Sequence, residues 1–229
     1  MKRKFSLLCV LLICLSGLVG CAEQPEQPSA GINWRVETTG KYLYDDSVSQ
    51  LITVQAVSQN EARVKLFEKS TENGKTIWTE TLSCPGYIGK AGLGKTKEGD
   101  SKTPIGDFGI VTAFGIRENP GTVLPYVDVT DDIYCCCDPD YYNQIIDIRE
   151  HPHDCSEGEH MIDYSPEYNY GFFLDYNSEG TVGRGTAIFF HCSGANAYTG
   201  GCIAVSEENM VTILKALDPN ARVIIDYLR

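Results

Sequence analysis

Apolar and polar positions alternate in short blocks along most of this chain, the period-two signature of half-buried strands. Leu51 to Val57 (LITVQAV) is rich in β-branched residues, and Ala62 to Glu68 (ARVKLFE) alternates apolar with polar. Asn73-Gly74 marks a tight turn into a strand over Lys75 to Leu82. Phe108 to Phe114, Thr122 to Val129, Tyr170 to Tyr176 and Thr186 to His191 read as further strands. Between them, Gly86 to Gly106 is glycine-rich and charged, which predicts a long structured loop. Asp131 to Ser165 is polar and irregular, which predicts an excursion over the surface. The period changes once: Met210, Ile213, Leu214 and Leu217 recur at helical spacing, with Ser206 as N-cap and Glu207 and Glu208 in the first turn. Pro219 ends that helix and Arg222 to Tyr227 closes the chain as a strand. Many strands and one helix predict a mainly β domain, a sandwich or barrel.

The N-terminus follows a different pattern. Lys2, Arg3 and Lys4 precede an almost wholly apolar run from Phe5 to Leu15. That run is shorter than the roughly 20 apolar residues of a membrane-spanning helix, and it has the form of a secretory signal. Leu18-Val19-Gly20-Cys21 resembles a bacterial lipobox, which implies cleavage before Cys21 and a diacylglycerol on its sulfur. The alternative is an ordinary signal peptide cut nearby. Residues 1–20 are thus expected to be a lipoprotein signal peptide. Residues 21–33, with AEQPEQPSAG after Cys21, are expected to be a lipidated flexible tether, and 34–229 one domain. The expected location is the outer face of a bacterial cytoplasmic membrane, facing the cell wall, with the lipid as membrane anchor.

Charge narrows the partners. The formal charge is −12, and losing Lys2, Arg3 and Lys4 with residues 1–20 takes it to −15. Nucleic acid is not an expected partner, because phosphate contacts need clustered Lys and Arg. Of the ten cysteines, Cys84, Cys135, Cys136, Cys137, Cys155, Cys192 and Cys202 remain beyond Cys21. An odd number leaves at least one thiol unpaired within the chain. Outside the membrane Cys135–137 could bridge to Cys84 or to Cys155. His151, His153, Cys155 and His160 with Cys135–137 could alternatively bind zinc, but no His-x-x-His or paired Cys-x-x-Cys array is complete. The expectation is no metal.

The segment HCSGANAYTGGCIAVSEEN, His191 to Asn209, carries the chemistry. His191 ends an apolar strand. Cys202 follows Gly200 and Gly201 and precedes an apolar run and the helix. A thiol reacts as thiolate, and a nearby imidazole or helix N-terminus lowers its pKa. The glycines permit a tight turn and close backbone approach, which suits an oxyanion hole of main-chain N–H groups.

This segment resembles the active-site motif of the YkuD-type L,D-transpeptidase family, a histidine on a strand followed by a [Ser/Thr]-x-Gly-Cys element, here Thr199-Gly200-Gly201-Cys202. Gly89 to Phe108, GKAGLGKTKEGDSKTPIGDF, resembles the family's Gly-Lys…Asp-Gly-x-Thr-Pro-x-Gly-x-Phe segment. The resemblance implies a β-sandwich or barrel with a helix after the catalytic cysteine. It implies Cys202 as nucleophile and His191 as base, with the second imidazole nitrogen held by the carbonyl of Cys192. It also implies oxyanion donors at Gly201 and Cys202, and a motif turn shaped by Thr199 and Gly200 beside the substrate. Glu159 and Tyr164 to Tyr170 are expected to wall the site. Three positions depart from the family. Cys192 stands where Gly or Ser is common, a thiol that could form a disulfide with Cys202. Gly200 replaces a frequent histidine, and Ala204 replaces a frequent arginine.

The expected activity is cross-linking of peptidoglycan stem peptides through a Cys202 thioester, without cofactor. With water as acceptor the same nucleophile gives an L,D-carboxypeptidase. A cell-wall metallopeptidase using the His151 to His160 cluster, and a non-catalytic wall-binding lipoprotein, are the rivals.

Overall fold

The structure is a computed structural model that describes residues 41–43 and 45–227. The basic start, the apolar run, Cys21 and the tether lie outside the described residues. Among those described, no helix is long and apolar enough to cross a membrane.

The domain is mainly β. Among the described residues, thirteen strands run in chain order as β1 (Gln50–Ala56), β2 (Glu61–Glu72), β3 (Lys75–Tyr87), β4 (Gly106–Phe108), β5 (Ile110–Gly115), β6 (Tyr126–Asp128), β7 (Ile133–Cys136), β8 (Gln144–Asp147), β9 (Glu159–His160), β10 (Gly171–Leu174), β11 (Phe189–Cys192), β12 (Ile203–Val205) and β13 (Arg222–Tyr227). The α-helix α1 (Glu207–Ala216) lies between the last two. Ten strands make one mixed sheet in the order β4-β13-β1-β2-β3-β12-β11-β10-β5-β6, and β8-β7-β9 make a second.

The predicted alternation produces the core. Along β2 the buried positions are Ala62, Val64 and Leu66, with exposed Arg63 and half-buried Lys65 between. These meet Ile52 and Val54 of β1, Phe172 and Phe190 of β10 and β11, and Met210, Ile213 and Leu214 of α1 in one cluster. Strands far apart in sheet order therefore share a core, so the sheet wraps around α1 and buries one face. The opposite face of β10 and β11 offers Phe173 and Phe189 to a second cluster with Phe114, Ile133, Cys135, Met161 and Tyr168. The two faces of β11 thus point into different cores.

Three sequence expectations change. Asp131 to Ser165 is not structureless, since β7, β8 and β9 form their own sheet there. Its strands are too short for periodicity to reveal. The Phe108 to Phe114 run breaks at Gly109 into β4 and β5, which join different neighbours, β13 and β10. Only Tyr126–Asp128 of the Thr122 to Val129 run is strand, because Asn119 caps the preceding turn through the N–H groups of Gly121 and Thr122.

The Gly86 to Gly106 loop is structured as expected and lies against the cysteine motif. Gly89 bridges to Thr199, and Leu93 to Thr103. A Cβ on Gly89 would lie 2.4 Å from the Ser101 carbonyl oxygen, whereas a Cβ on Gly200 would meet nothing within 4 Å. Gly89→Ala should therefore cost about 1–3 kcal/mol or more by overpacking, and Gly200→Ala should stay within about 0.5 kcal/mol of wild type. Urea unfolding monitored by fluorescence measures both, and equal losses would refute the close-approach argument.

Candidate active site

Strand alternation sets the positions of the motif residues. In β11, Phe189 and His191 face the second cluster, while Phe190 and Cys192 face the main core. β11 runs parallel to β12 with Phe190 opposite Ile203 and His191 opposite Ala204. Cys202, just before β12, therefore falls beside Phe189, on the His191 face and one two-residue step away. Both side chains open into one cleft of about 600 Å³, together with Thr199, Gly200, Gly201 and Ala204.

His191 is buried, and its Nδ1 lies 2.7 Å from the Cys192 carbonyl oxygen. A carbonyl only accepts, so Nδ1 carries the proton and Nε2 is left as the basic nitrogen. Burial lowers the His191 pKa, against the opposing pull of the Cys192 carbonyl and of Glu167. The imidazole is therefore neutral at neutral pH. The Tyr168 ring meets it edge-on at 5.5 Å. Tyr168 is itself fixed by its hydroxyl, which donates to Glu159 at 2.5 Å, and by stacking on Tyr164. Glu159, Tyr164, Glu167 and Tyr168 all line the cleft.

The Cys202 thiol donates to the Ala187 carbonyl oxygen at 3.0 Å and accepts from the Phe189 N–H at 3.4 Å. Its pKa is pushed up to about 12 by burial, with Glu159 adding to the rise and the Phe189 N–H and Lys95 opposing it. The sequence predicted a lowered value. Two structural facts explain the difference. β12 separates Cys202 from the N-terminus of α1, so no helix dipole reaches the sulfur. The neighbouring imidazole is neutral and supplies no positive charge. The resting pair is thiol and imidazole, not thiolate and imidazolium.

Cys192 lies elsewhere than the sequence suggested. Its thiol is fully buried in the main core and donates to the Tyr170 carbonyl oxygen at 3.4 Å. It is on the opposite sheet face from Cys202, which removes the geometry for a disulfide between them. All seven described cysteines are free thiols.

Sequence reasoning missed the roles of Thr103, Lys95, Asp100 and Glu98, and placed Thr199 in the motif turn without its partners. Thr103 is fully buried; its hydroxyl accepts from the Gly89 N–H at 2.8 Å and donates to the Cys202 carbonyl at 3.2 Å. Thr199 donates to the same carbonyl at 2.7 Å and accepts from the Gly201 N–H at 3.1 Å. The Gly201 N–H expected in an oxyanion hole is thus engaged by Thr199. Thr103 stands in the quoted Thr-Pro-x-Gly segment, so its position was marked though its partner was not. Lys95 reaches the cleft wall as a buried ion pair with Asp100 at 3.1 Å. Burial pushes the Asp100 pKa up, but the N–H groups of Thr96, Lys102 and Lys97 and the Lys95 ammonium outweigh it and bring the carboxyl to about 2. Glu98 accepts from the hydroxyls of Tyr142 and Thr186 on the same wall.

Because His191 titrates below the ordinary 6.5, the acid limb of kcat/KM should lie below that pH. Because the thiol titrates near 12, site-resolved alkylation of Cys202 by iodoacetamide should still be climbing above pH 9; a plateau near neutrality would mean a preformed thiolate. Thr103→Val should cost about 1–3 kcal/mol, since it leaves the buried Gly89 N–H without its acceptor. It should also lower kcat by loosening the Cys202 carbonyl. Chemical denaturation and steady-state kinetics read the two effects.

The family model for YkuD, the L,D-transpeptidase catalytic domain, matches residues 52–225, more than half of the chain. Among curated proteins none matches. A solved structure similar to it is the helical cell shape determining protein Pgp2 from Campylobacter jejuni, at 15% sequence identity and a TM-score of 0.41. The match covers 82% of this chain and 54% of that one, so the chain spans about half the length of that protein. With β12, α1 and the cysteine motif all inside the matched residues, the chain belongs to the YkuD family of L,D-transpeptidase catalytic domains.

Proposed function

We propose that this protein is a lipid-anchored peptidoglycan L,D-transpeptidase that cross-links stem peptides through a thioester on Cys202. The observation that carries this reading is the shared cleft: a thiol just before β12 and the basic Nε2 of a neutral histidine on β11, on one sheet face. In the proposed first step the Cys202 side chain rotates away from the Ala187 carbonyl and turns its S–H toward His191 Nε2. The imidazole takes the proton as sulfur attacks a stem-peptide carbonyl, and the Cys202 N–H supports the developing oxyanion. The imidazolium then protonates the departing D-amino acid. An acceptor amine then attacks the thioester and passes a proton to His191, and the imidazolium gives that proton to the departing Cys202 sulfur, which restores the thiol and the neutral imidazole. Starting from a neutral pair suits this cycle, because the charge pair arises only as the barrier is crossed.

Charge in the cleft favours an amine acceptor. Glu98, Glu159, Asp163 and Glu167 line it, while Lys95 is committed to Asp100 and position 204 supplies alanine. The carboxylates on this wall attract an ammonium, whereas water gains nothing from them. Cys21 with the tether is proposed to hold the domain at the outer face of the membrane, within reach of the wall.

Product analysis by mass spectrometry with a disaccharide-tetrapeptide substrate tests the reading. Wild type should give cross-linked dimer. Cys202→Ala should fall to background, and His191→Ala should lose roughly 10²–10⁴-fold. Tripeptide without dimer would assign hydrolysis instead, and full activity in Cys202→Ala would end the proposal. A carbapenem adduct mapped to any residue other than Cys202 would also count against it.

A further inference from the structure

The irregular segment between β7 and β9 contains a cluster that the catalytic reading does not use. Cys136 ends β7, and Asp138 follows two residues on. His153 and Cys155 come from the loop before β9. One donor atom from each, Sγ, carboxylate oxygen, imidazole nitrogen and Sγ, lies within 4.8 Å of all the others. Asp138 Oδ2 is 3.1 Å from His153 Nε2 and 3.7 Å from Cys136 Sγ. A tetrahedral zinc with bonds of about 2.0–2.3 Å sets its donors about 3.3–3.8 Å apart. The Cys136–Asp138 separation falls in that range, the Asp138–His153 separation lies just under it, and the whole group is compact enough to close on one ion by small side-chain rotations.

We propose that Cys136, Asp138, His153 and Cys155 form a structural zinc site. Both cysteines are buried, at 0% and 2% exposure, and both belong to a small cluster with Ile146 beneath the sheet of β7, β8 and β9. Zinc takes up the two thiolates as their protons leave, and binds Asp138 as carboxylate and His153 as neutral imidazole. The ligand set is split into two pairs, Cys-x-Asp and His-x-Cys, each with one residue between its members. The Cys155 backbone at φ +38° is held by the Gly158 N–H on its carbonyl oxygen at 2.9 Å, which turns the second pair toward the first. Tyr141 covers the His153 ring at 5.0 Å. A disulfide between Cys136 and Cys155 would use only the sulfurs, and Asp138 with His153 would then stand beside it as a hydrogen-bonded pair.

This revises the sequence expectation of no metal, and it narrows the cluster considered there. His151 rests on Tyr141, and His160 binds the Asp131 carbonyl and Asp163. Neither joins the four. None of the four lines the cleft, so the site is a staple and not a hydrolytic centre. What it pins is the sheet whose β7 presents Cys135 to the second core and whose β9 presents Glu159 to the cleft wall.

The test is metal analysis of the full chain purified without chelator from zinc-supplemented medium. About one zinc per chain is expected, lost in Cys136→Ser and in Cys155→Ser. Affinity should fall about tenfold or more in Asp138→Asn and His153→Gln. Because the serine variants can fail to fold, wild type stripped of metal under reducing conditions is also titrated with cobalt. Thiolate-to-cobalt charge transfer and strong visible bands of a tetrahedral ion are expected. A Cys136–Cys155 disulfide found by non-reducing peptide mapping, or reduced thiols that take up neither metal, would overturn the site.

Discussion

The carbonyl oxygen of Cys202 is the point on which the active-site architecture depends. It accepts hydrogen bonds from Thr103 and from Thr199, two hydroxyls on separate segments. Thr199 is local and closes the turn ahead of the cysteine. Thr103 comes from the glycine-rich loop and is fixed in turn by the Gly89 N–H. Around this point the Thr199 N–H donates to the Ile88 carbonyl and the Lys90 N–H to the Thr199 carbonyl. The two motifs are therefore one structural unit. A buried carbonyl with two donors leaves Cys202 little backbone freedom, so its chemistry is left to one side-chain torsion. The close approach at Gly89 is what this unit requires.

Placement on the strand decides which sulfur can react. His191 and Cys192 are consecutive, yet one side chain faces the cleft and the other the core, because strand side chains alternate. The thiol of Cys192, pushed up to about 12 mainly by burial, stays a small apolar filler. Cys202 has a similarly raised value but an open cleft and a base on the same face. Burial alone therefore does not separate a structural thiol from a reactive one. The neighbouring Nε2 and the route for substrate do.

The fold was readable where residues obey one period for long enough. β1, β2, β13 and α1 appear within a few residues of their expected bounds, and Ser206 caps α1 as its side chain predicts, accepting from the Asn209 N–H. The hydrogen bond from His191 to the Cys192 carbonyl also matches what the family resemblance implies. Legibility failed where structure depends on distant partners. β7, β8 and β9 have at most four residues each, and β9 has two; no periodicity exists at that length. Thr103 could not be assigned because its partner lies far along the chain and is a backbone atom. The direction of the Cys202 pKa shift failed for a related reason. It depends on burial and on the charge state of His191, both set by packing, and the sequence shows only that the two residues are present.

The same logic explains how the cleft can keep its carboxylates. Glu159 is nearly buried and its pKa is raised by that burial, with the Tyr168 hydroxyl opposing the rise. Tyr168 in turn lies edge-on to Phe114, Phe189 and His191. One aromatic ring thus couples the acidic wall to the base. Loss of the Tyr168 hydroxyl would free Glu159, while loss of the ring would also release the imidazole face. The wall and the base are therefore one assembly, held against the second core on the side away from α1. A domain with few helices and a thin irregular segment can build a defined cleft in this way, because the rings supply rigidity that the short strands β7 to β9 lack on their own.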